Sequence, residues 1–400
     1  MDKIDELLTR GVDKIYPSRQ ALENVLKSGK KLKLYQGFDP TGTELHIGHM
    51  VGLRKLSQWQ KLGHQVIFLV GTGTGQAGDP SGKLTSREKF FNEEELKQNA
   101  KDYVMQAKKL LRFDGDNPVE IVYNGDWLNK LKLEDILNIA GNLTVQQLIE
   151  RDMFQKRLQK NESINLREFL YPLLQGYDSV ELEVDLEIGG SDQTFNMLVG
   201  RNLLRAMKGK EKFVMTTPLL EDSKGTKIGK SEGNAIGITD RPEDLYGKIM
   251  SLSDDVIVKA MEYLTDISLS EIEKIKKRIL DKENPIEFKK KLAFEIVKSL
   301  NNEIDADRAA NAFKNVVQDK NLPEEIEVLR ITSDTPLSKV LIEKNFVDSI
   351  GEWKRLVEQH GASLDEAKID NPFINTKDIK DGTILKIGKR KYAKIVKSRI

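Results

Sequence analysis

The sequence predicts an α/β protein with a parallel sheet, followed by a helical domain and a small α+β domain. A run from Leu32 to Phe38 ends at a turn, and a continuous apolar run from Val66 to Val70 follows a helical stretch. Strand, helix and strand in this order favour a parallel sheet, and the second run is typical of a buried parallel strand. From Pro242 to Val317 the apolar residues keep helical spacing, which predicts the helical domain.

The composition of the chain excludes several classes of protein and of binding site. The chain of 400 residues has 64 Lys and Arg against 63 Asp and Glu, so no overall charge indicates a nucleic-acid partner. It has no cysteine, which excludes disulfides and thiolate metal sites and fits a reducing cytoplasm. The charged N-terminus lacks the apolar core of a secretory signal, and no apolar run approaches a membrane span. We expect a cytoplasmic protein with no membrane association.

The stretch after the first strand carries two of the four histidines of the chain. Asp39-Pro40-Thr41-Gly42 is a turn signal, and Thr43 is predicted to cap a helix that holds His46 and His49 in its first turns. Side chains at i and i+3 share a face near the positive end of the helix, where anions bind. A pair of ordinary surface histidines would give the same pattern.

A glycine motif follows the second strand. Gly73 to Gly78 satisfies the dinucleotide fingerprint G-x-G-x-x-G, but Asp79-Pro80 interrupts at once, so the required helix is not expected. A phosphate-binding Walker loop also fails, because Ala77 and Leu84 stand at two of its defining positions. The glycines are better explained by close approach of the backbone to a ligand.

Residues 92–165 are predicted to form helices on both sides of one more strand. A capping box at Asn92 predicts a long exposed helix, and Pro118 to Tyr123 predicts a strand. Residues 126–165 are helical and polar, with 143–145 as the one expected break. This segment is predicted to be an insertion that projects from the sheet.

A helix is predicted to begin at Tyr171, with Pro172 in its first turn. It places three polar side chains on one face. Tyr171, Gln175 and Asp178 form this stripe, which on most proteins would be solvated. Alternation from Leu182 to Ile188 then predicts a half-buried strand, followed by a helix opening at 189–193.

The last third of the chain is predicted to contain a lysine loop, a linker and a basic domain. The loop at 221–231 would be mobile and solvated in most proteins, and 321–336 is predicted to be a linker. Residues 337–400 predict two short helices and then strands, with a hairpin signal at Asp381-Gly382. Lys354, Arg355 and the terminal basic run are predicted to form one positive face, and the apolar residues among them argue against a disordered tail.

Together these motifs resemble the bacterial tyrosyl-tRNA synthetases, a family of class I aminoacyl-tRNA synthetases. The quartet His46-Ile47-Gly48-His49 matches the class signature in full, and the Tyr-Pro-Leu-x-Gln-Gly-Tyr-Asp pattern from Tyr171 resembles one subgroup. The chain departs from the family's Lys-Met-Ser-Lys-Ser loop, because Ile228 and Gly229 replace Met and Ser.

The resemblance implies a domain plan. It comprises a Rossmann-like catalytic domain at 1–236 that contains the insertion at 126–165 and the lysine loop at 227–231. An α-helical tRNA-binding domain at 237–325 and a domain similar to the S4 RNA-binding fold at 335–400 would follow. A homodimer is implied by the family.

The implied chemistry is activation of L-tyrosine by ATP, with release of pyrophosphate, and transfer of the tyrosyl group to the 3′ end of tRNA(Tyr). Mg²⁺ would accompany ATP without a protein cage, and no structural metal is expected. By resemblance, catalysis at the phosphates is assigned to His46, His49, Lys83, Arg87, Lys227, Lys230 and Ser231. Tyrosine binding is assigned to Tyr35, Asp79, Tyr171, Gln175, Asp178 and Gln193. ATP binding is assigned to Asp39, Thr41, Gly48, Gly190, Asp192, Leu219, Leu220 and Lys230. RNA binding is assigned to Lys354, Arg355, Lys386, Lys389, Arg390 and Lys391.

Three other interpretations remain open at this point. The chain resembles, less closely, tryptophanyl-tRNA synthetases and other adenylating ligases with the His-x-Gly-His signature, such as pantothenate-synthetase-like enzymes. A non-catalytic RNA-binding regulator could also keep this fold. Pyrophosphate exchange measured with each amino acid separates all of these.

Overall fold

The computed structural model describes residues 2–81, 90–228, 236–315, 326–331, 334–365, 367–388 and 391–397. The chain divides into two compact units. The first unit comprises residues 1–241 and 248–302, and the second comprises 242–247 and 303–400. Within the described ranges, no helix combines the length and the apolar character that crossing a bilayer requires.

The first unit is built on a mostly parallel sheet, as the sequence predicts. Its strands are β1 (Lys14–Tyr16), β2 (Lys33–Phe38), β3 (Gln65–Val70), β4 (Glu120–Tyr123), β5 (Leu186–Gly190) and β6 (Phe213–Thr217). They lie in the order β1-β6-β5-β2-β3-β4, and every pair is parallel except β1 with β6. The apolar run of β3 is buried from Val66 to Val70, which confirms a central parallel strand.

Helices cover this sheet and continue along the chain beyond it, and the helix that begins at Pro242 has residues 242–247 in the second unit. They are α1 (Lys3–Thr9), α2 (Arg19–Lys27), α3 (Ile47–Lys61), α4 (Thr74–Ala77), α5 (Glu93–Ala107), α6 (Gly125–Leu128), α7 (Leu133–Ala140), α8 (Val145–Ile149), α9 (Asp152–Gln159), α10 (Leu166–Leu182), α11 (Thr194–Lys208), α12 (Pro242–Met250), α13 (Ile257–Leu264), α14 (Leu269–Leu280) and α15 (Ile286–Leu300). The predicted helical periodicity after Pro242 is confirmed in the described residues.

Several predicted element boundaries are wrong. Helix α10 begins at Leu166, capped by the Asn165 side chain, so Pro172 lies inside the helix. The predicted strand from Leu182 to Ile188 exists as β5, but it begins only at Leu186, because Leu182 still belongs to α10. Strand β5 is a central strand buried on both faces, and even Glu187 in its middle is 2% exposed. Lys212, which is far away in the sequence, neutralises the Glu187 carboxylate. The alternation of apolar and polar residues does not reveal this ion pair.

Other differences concern segments between strands. Glycines 73–78 do contain a helix, although α4 is a single turn that ends at Gly78 with a φ of 83°. The segment predicted as one helical insertion has breaks between α6, α7, α8 and α9, more than the one expected. Helix α5 is capped by Asn92 as predicted, but one face of it is buried through Leu96 and Tyr103.

Two glycines let α10 and α11 cross closely. A Cβ placed on Gly176 would lie 3.1 Å from the backbone nitrogen of Gly200 and 2.9 Å from Leu203 Cδ1. A Cβ on Gly200 would lie 3.2 Å from Gly176 Cα. This contact holds α10, which carries the polar stripe, against the helix that follows β5.

Three cations lie where α1, α3 and α13 meet. Lys55 of α3 is 3% exposed, and its Nζ donates to the backbone oxygens of Leu7 and Arg10. Arg10 Nε in turn donates to the oxygen of Glu262, and Arg54 pairs with Asp266. Burial, followed by the neighbouring charge of Arg10, lowers the pKa of Lys55 from 10.5 to about 7.

The second unit contains a mixed sheet with helices. Its elements after Asn302 are α16 (Glu303–Phe313), β7 (Glu327–Ile331), α17 (Leu337–Glu343), α18 (Ile350–Glu358), β8 (Ala362–Leu364), β9 (Ala367–Lys368), β10 (Ile384–Ile387) and β11 (Lys391–Lys397). The sheet order is β7-β11-β10-β8-β9, packed on a core around Trp353. The two predicted helices and the later strands are confirmed. The predicted linker at 321–336 is wrong in its middle, where β7 pairs in parallel with β11.

Candidate active site

A cavity of about 370 Å³ opens at the carboxyl ends of β2 and β5. These two strands are neighbours in the sheet, but β2 leads into α3 and β3 on one side while β5 leads into α11 and β6 on the other. The order of the strands therefore reverses between them, and ligands of open α/β sheets bind at such a point. Residues from the ends of β3 and β4 complete the wall.

The paired histidines sit at the start of α3. His46 is the N-cap residue and His49 is at the third helical position, so the predicted cap at Thr43 is wrong. Nδ1 of His46 accepts from Gly48 N at 3.1 Å, and Nδ1 of His49 accepts from His46 N at 3.2 Å. Because each Nδ1 is an acceptor, the proton of each neutral ring belongs on Nε2. Both histidines line the cavity with a donor suited to an anion.

A buried carboxylate lies at the end of the cavity opposite the histidines. Asp178 of α10 is 1% exposed, and its two oxygens accept from Trp127 Nε1 at 2.9 Å and Asn124 Nδ2 at 3.1 Å. Asn124 is oriented by its own Oδ1, which accepts from Gly73 N at 2.7 Å. Burial raises the pKa of Asp178 well above 3.8, and the two donors act in the opposite direction. Each oxygen keeps a further lone pair that can accept a hydrogen bond from a ligand.

Tyr35 of β2 lies beside this carboxylate without bonding to it. Its hydroxyl is 2.9 Å from Ser179 Oγ, and Tyr35 is 1% exposed. Gln175, one turn before, donates from Nε2 to Glu187 Oε1 at 3.2 Å. The polar stripe of α10 therefore faces inward.

The middle of the cavity is acidic. Tyr171 Oη donates to Asp39 Oδ2 at 2.9 Å, and Gln193 Nε2 donates to Asp79 Oδ2 at 2.9 Å. Burial and the charge of Asp39 raise the pKa of Tyr171 well above 10, so Tyr171 keeps its proton and acts as a donor. Two carboxylates in the cavity wall that both act on Tyr171 suit an ammonium group.

Glycines and a lysine line the end nearest the histidines. A Cβ on Gly48 would lie 2.9 Å from the His46 ring, and one on Gly190 would lie 2.7 Å from Asp192 Oδ1. Asp192 accepts from Lys227 Nζ at 2.7 Å. Backbone hydrogen bonds hold the residues on both sides of 229–235: Ile228 N donates to Leu220 O, and Ile236 O accepts from Ile47 N.

The cavity collects the predicted small-molecule residues that the structure describes. These are Tyr35, Asp39, Thr41, His46, Gly48, His49, Asp79, Tyr171, Gln175, Asp178, Gly190, Asp192, Gln193, Leu219, Leu220 and Lys227. Predicted residues that lie outside the described ranges are Lys83, Arg87, Lys230, Ser231, Lys389 and Arg390. The predicted RNA contacts Lys354, Arg355, Lys386 and Lys391 belong to the second unit. The roles assigned to these residues stay predictions.

Sequence reasoning missed the residues that orient the others. Asn124 directly follows the strand predicted at 118–123, and polar residues at the carboxyl end of a parallel strand are a usable signal. Trp127, Ser179 and Glu187 carried no such signal. They act on Asp178, Tyr35 and Gln175 through contacts that only the fold brings together.

Comparison with known proteins gives consistent matches. The family model for "tRNA synthetases class I (W and Y)" matches residues 27–318. The tyrosine–tRNA ligase of Mannheimia succiniciproducens is 41% identical, over 97% of this chain and 97% of that protein. That of Geobacter metallireducens is 39% identical over 98% of each. A C-terminally truncated mitochondrial tyrosyl-tRNA synthetase of Aspergillus nidulans has a TM-score of 0.66 and 25% identity, covering 78% of this chain and 94% of that one.

Proposed function

The chain belongs to the family of class I tRNA synthetases for tryptophan and tyrosine, and we propose that it is a tyrosine–tRNA ligase. It activates L-tyrosine with ATP to tyrosyl-adenylate and pyrophosphate, and then transfers the tyrosyl group to the 3′ end of tRNA(Tyr). The observation that carries the proposal is one cavity that joins a buried carboxylate at one end to paired histidines at the other. The curated relatives that match nearly the whole chain are named for the same activity.

The phenol of tyrosine is proposed to bind at Asp178. A carboxylate that is buried and held by two donors has remaining lone pairs for the hydroxyl proton of the substrate. Asp79 and Tyr171 would hold the ammonium group, since a carboxylate accepts its protons and the acidic wall compensates its charge. Gln175 and Gln193 would fix the remaining polar atoms of the amino acid.

The phosphates of ATP are proposed to lie at the start of α3. Nε2–H groups of His46 and His49 are positioned to stabilise charge that develops on the α-phosphate, and such donors typically contribute about 3 kcal/mol each. Lys227 pairs with Asp192, which suits the ribose hydroxyls, so Lys227 must exchange this partner to reach pyrophosphate. Lys83, Arg87 and Lys230 are proposed to supply further positive charge to the phosphates, and Ser231 is proposed to donate a hydrogen bond to them.

Mg²⁺ is proposed to enter with ATP. The carboxylates that line the cavity already accept from protein donors, Asp39 from Tyr171 and Asp192 from Lys227. They fit an ion held by phosphates and water better than an ion held in a protein cage. The metal would neutralise phosphate charge while the histidines and lysines position the phosphates.

The second unit is proposed to bind tRNA. Lys354 Nζ lies 5.0 Å from the Phe373 ring centroid, and the Phe373 side chain is 70% exposed. Lys386 Nζ lies 5.3 Å from the ring centroid of Tyr392, whose side chain is buried. The two lysines suit phosphate contacts, and the exposed ring of Phe373 suits base stacking. We propose that Arg355, Lys389, Arg390 and Lys391 also contact tRNA, and that the enzyme works in the cytoplasm.

A homodimer is proposed to form through the segment 133–170. Of the large apolar side chains exposed in the described ranges, half fall in this segment, namely Leu133, Ile136, Leu137, Val145, Leu158, Leu166 and Leu170. Exposed large apolar side chains concentrated in one segment are typical of a protein interface. Light scattering of the purified chain tests the proposal, and a monomer at micromolar concentration would contradict it.

Pyrophosphate exchange with each amino acid in turn tests the enzymatic activity. We expect exchange with tyrosine and at most trace exchange with tryptophan or phenylalanine. Exchange that depends on tryptophan would move the chain to the other specificity of its family. Absence of exchange with every amino acid, from folded protein, would contradict the proposal and favour an RNA-binding regulator.

A further inference from the structure

A buried asparagine lies behind the wall of the cavity, where α10 and α11 cross. Asn196 is in the first turn of α11, and its side chain is fully buried. The close contact of Gly176 with Gly200 brings the two helices together. The Asn196 amide therefore reaches Gln175, a residue of the cavity wall that is 21 residues away in the sequence.

The side-chain amide of Asn196 faces three oxygen atoms. Its Nδ2 donates to Gln193 Oε1 at 2.9 Å and to Gln175 Oε1 at 3.1 Å. Ser81 Oγ is farther from Nδ2, at 3.3 Å, and also accepts from Arg151 Nη2. Because an NH2 group carries two protons, these protons belong to the two glutamine oxygens.

Two carboxylates fix the orientation of all three amides, because a carboxylate only accepts. Gln193 Nε2 donates to Asp79 Oδ2 at 2.9 Å, and Gln175 Nε2 donates to Glu187 Oε1 at 3.2 Å. Each glutamine therefore turns its Oε1 toward Asn196, which must present its NH2 group to both. Turning over any one of these amides would bring two acceptors into contact.

The other end of the Asn196 amide has no such partner. Its Oδ1 is buried and accepts no hydrogen bond from the residues that the structure describes. A buried carbonyl oxygen without a donor destabilises the folded chain, and such exceptions call for a reason other than packing. The reason available here is the NH2 group, which holds two residues of the cavity wall.

This arrangement leaves one free donor on each glutamine. One proton of each Nε2 goes to a carboxylate, and the second has no acceptor among the described residues. Both side chains are partly buried and line the cavity, and they lie side by side because both accept from one nitrogen. Two neighbouring N–H groups suit a carboxylate of the ligand, whereas an ammonium group needs acceptors.

With tyrosine as the substrate, as proposed above, we infer that Asn196 holds Gln175 and Gln193 with their free N–H groups toward the carboxylate of the substrate. That carboxylate attacks the α-phosphate of ATP, and pyrophosphate leaves. Its placement therefore affects the rate as well as the affinity. Asn196 is a positioning residue, because it acts through the two glutamines.

Two substitutions and two ligands test this inference in the full-length chain. Asn196→Asp keeps the shape of the side chain and replaces its NH2 group by an oxygen, and Asn196→Ala removes the amide. Tyramine has the phenol and the ammonium group of tyrosine but lacks the carboxylate. The measurements are the dissociation constants of tyrosine and tyramine by titration calorimetry, and kcat for tyrosine in pyrophosphate exchange.

Both variants should bind tyrosine roughly ten-fold more weakly, because hydrogen bonds to a charged carboxylate lose their orientation. The affinity for tyramine should be unchanged, and kcat for tyrosine should fall because the nucleophile is misplaced. Asn196→Asp should lose at least as much tyrosine affinity as Asn196→Ala, since its added oxygen repels the glutamine oxygens. A role in packing alone predicts the opposite order, because only alanine leaves a cavity.

Gln60→Ala is the matched control. Gln60 is also a buried amide side chain of the first unit, but its Nε2 donates to the backbone oxygens of Arg112 and Asn117. This variant should keep the ratio of the two dissociation constants, whatever its stability. Circular dichroism identifies any variant that is unfolded. Asn196→Ser retains one proton and should give an intermediate ratio, so it carries the test if the other two substitutions do not fold.

A second background tests whether Asn196 acts through the glutamines. In Gln193→Ala, the further substitution Asn196→Ala should change the ratio less than it does in the unmodified chain, because one of the two amides that it positions is gone. An undiminished effect would overturn the inference. An unchanged ratio in the folded Asn196 variants would overturn it too, including the case in which tyrosine and tyramine lose affinity equally. Failure of the proposed function is a different result, in which the unmodified chain itself shows no exchange with tyrosine.

Discussion

The buried Lys55 predicts a specific dependence of stability on pH. The folded chain holds this side chain at a pKa of about 7, against 10.5 as its ordinary value. Between these values the unfolded chain binds almost one more proton than the folded chain. The free energy of unfolding therefore rises with pH between about 7 and 10.5. This gain in stability is lost as the pH falls toward 7.

The magnitude follows from the two pKa values. A difference of one proton changes the free energy of unfolding by about 1.4 kcal/mol per pH unit. From about pH 7.5 to about pH 9.5, the difference between the unmodified chain and Lys55→Met should therefore change by about 2.5 kcal/mol in favour of the unmodified chain. The substituted chain lacks the titrating group and should lack this part of the slope.

Urea denaturation at several pH values, followed by tryptophan fluorescence, measures the effect. Trp59, fully buried in α3 with Lys55, reports on this part of the first unit. Lys61→Met is the matched control, because Lys61 is an exposed lysine at the end of the same helix. The reasoning would be refuted if the free energy of unfolding changed with pH equally in Lys55→Met and in the unmodified chain, with equal dependence on urea.

Three more predictions concern the cavity and its support. His46→Ala should slow adenylate formation about 100-fold, with little change in tyrosine affinity, because its donor meets charge that develops in the transition state; single-turnover kinetics and equilibrium binding check this. Trp127→Phe removes a donor that lowers the pKa of Asp178, so the acid limb of kcat/KM for tyrosine should move to higher pH, which a pH series of exchange rates measures. Gly176→Ala should cost about 1–3 kcal/mol of stability through its contact with Gly200; a urea midpoint that does not fall would contradict the packing argument.

The parts of the fold predicted correctly are those with local signals. The apolar run of β3 and the capping box of α5 each specify an element within a few residues. Strand β5 was misread because Glu187 looks like a solvent-facing position. Its neutralising partner Lys212 is 25 residues away in the sequence, so only the fold reveals that the carboxylate is buried. Strand β7 was missed for a similar reason, since its pairing partner β11 lies near the end of the chain.

The residues of the candidate site also divide into those that a sequence motif identifies and those that it does not. His46, Asp178 and Asp192 belong to motifs that resemblance locates, and the structure places them in one cavity. Residues such as Asn124 and Ser179 belong to no motif. Their importance depends on which donor meets which acceptor, and the sequence does not contain those distances.

The pairing of β2 with β5 also has a consequence for the order of events during synthesis. Tyr35 and Ser179 meet although they are 144 residues apart in the chain. Strands that pair over such separations form late, because a long loop must close first. On the ribosome, Tyr35 emerges long before the helix and strand that complete its surroundings. A nascent chain that stops short of α10 therefore has the histidine helix but no pocket for an amino acid, and tyrosine can assist only those stages of folding that follow the synthesis of α10 and β5.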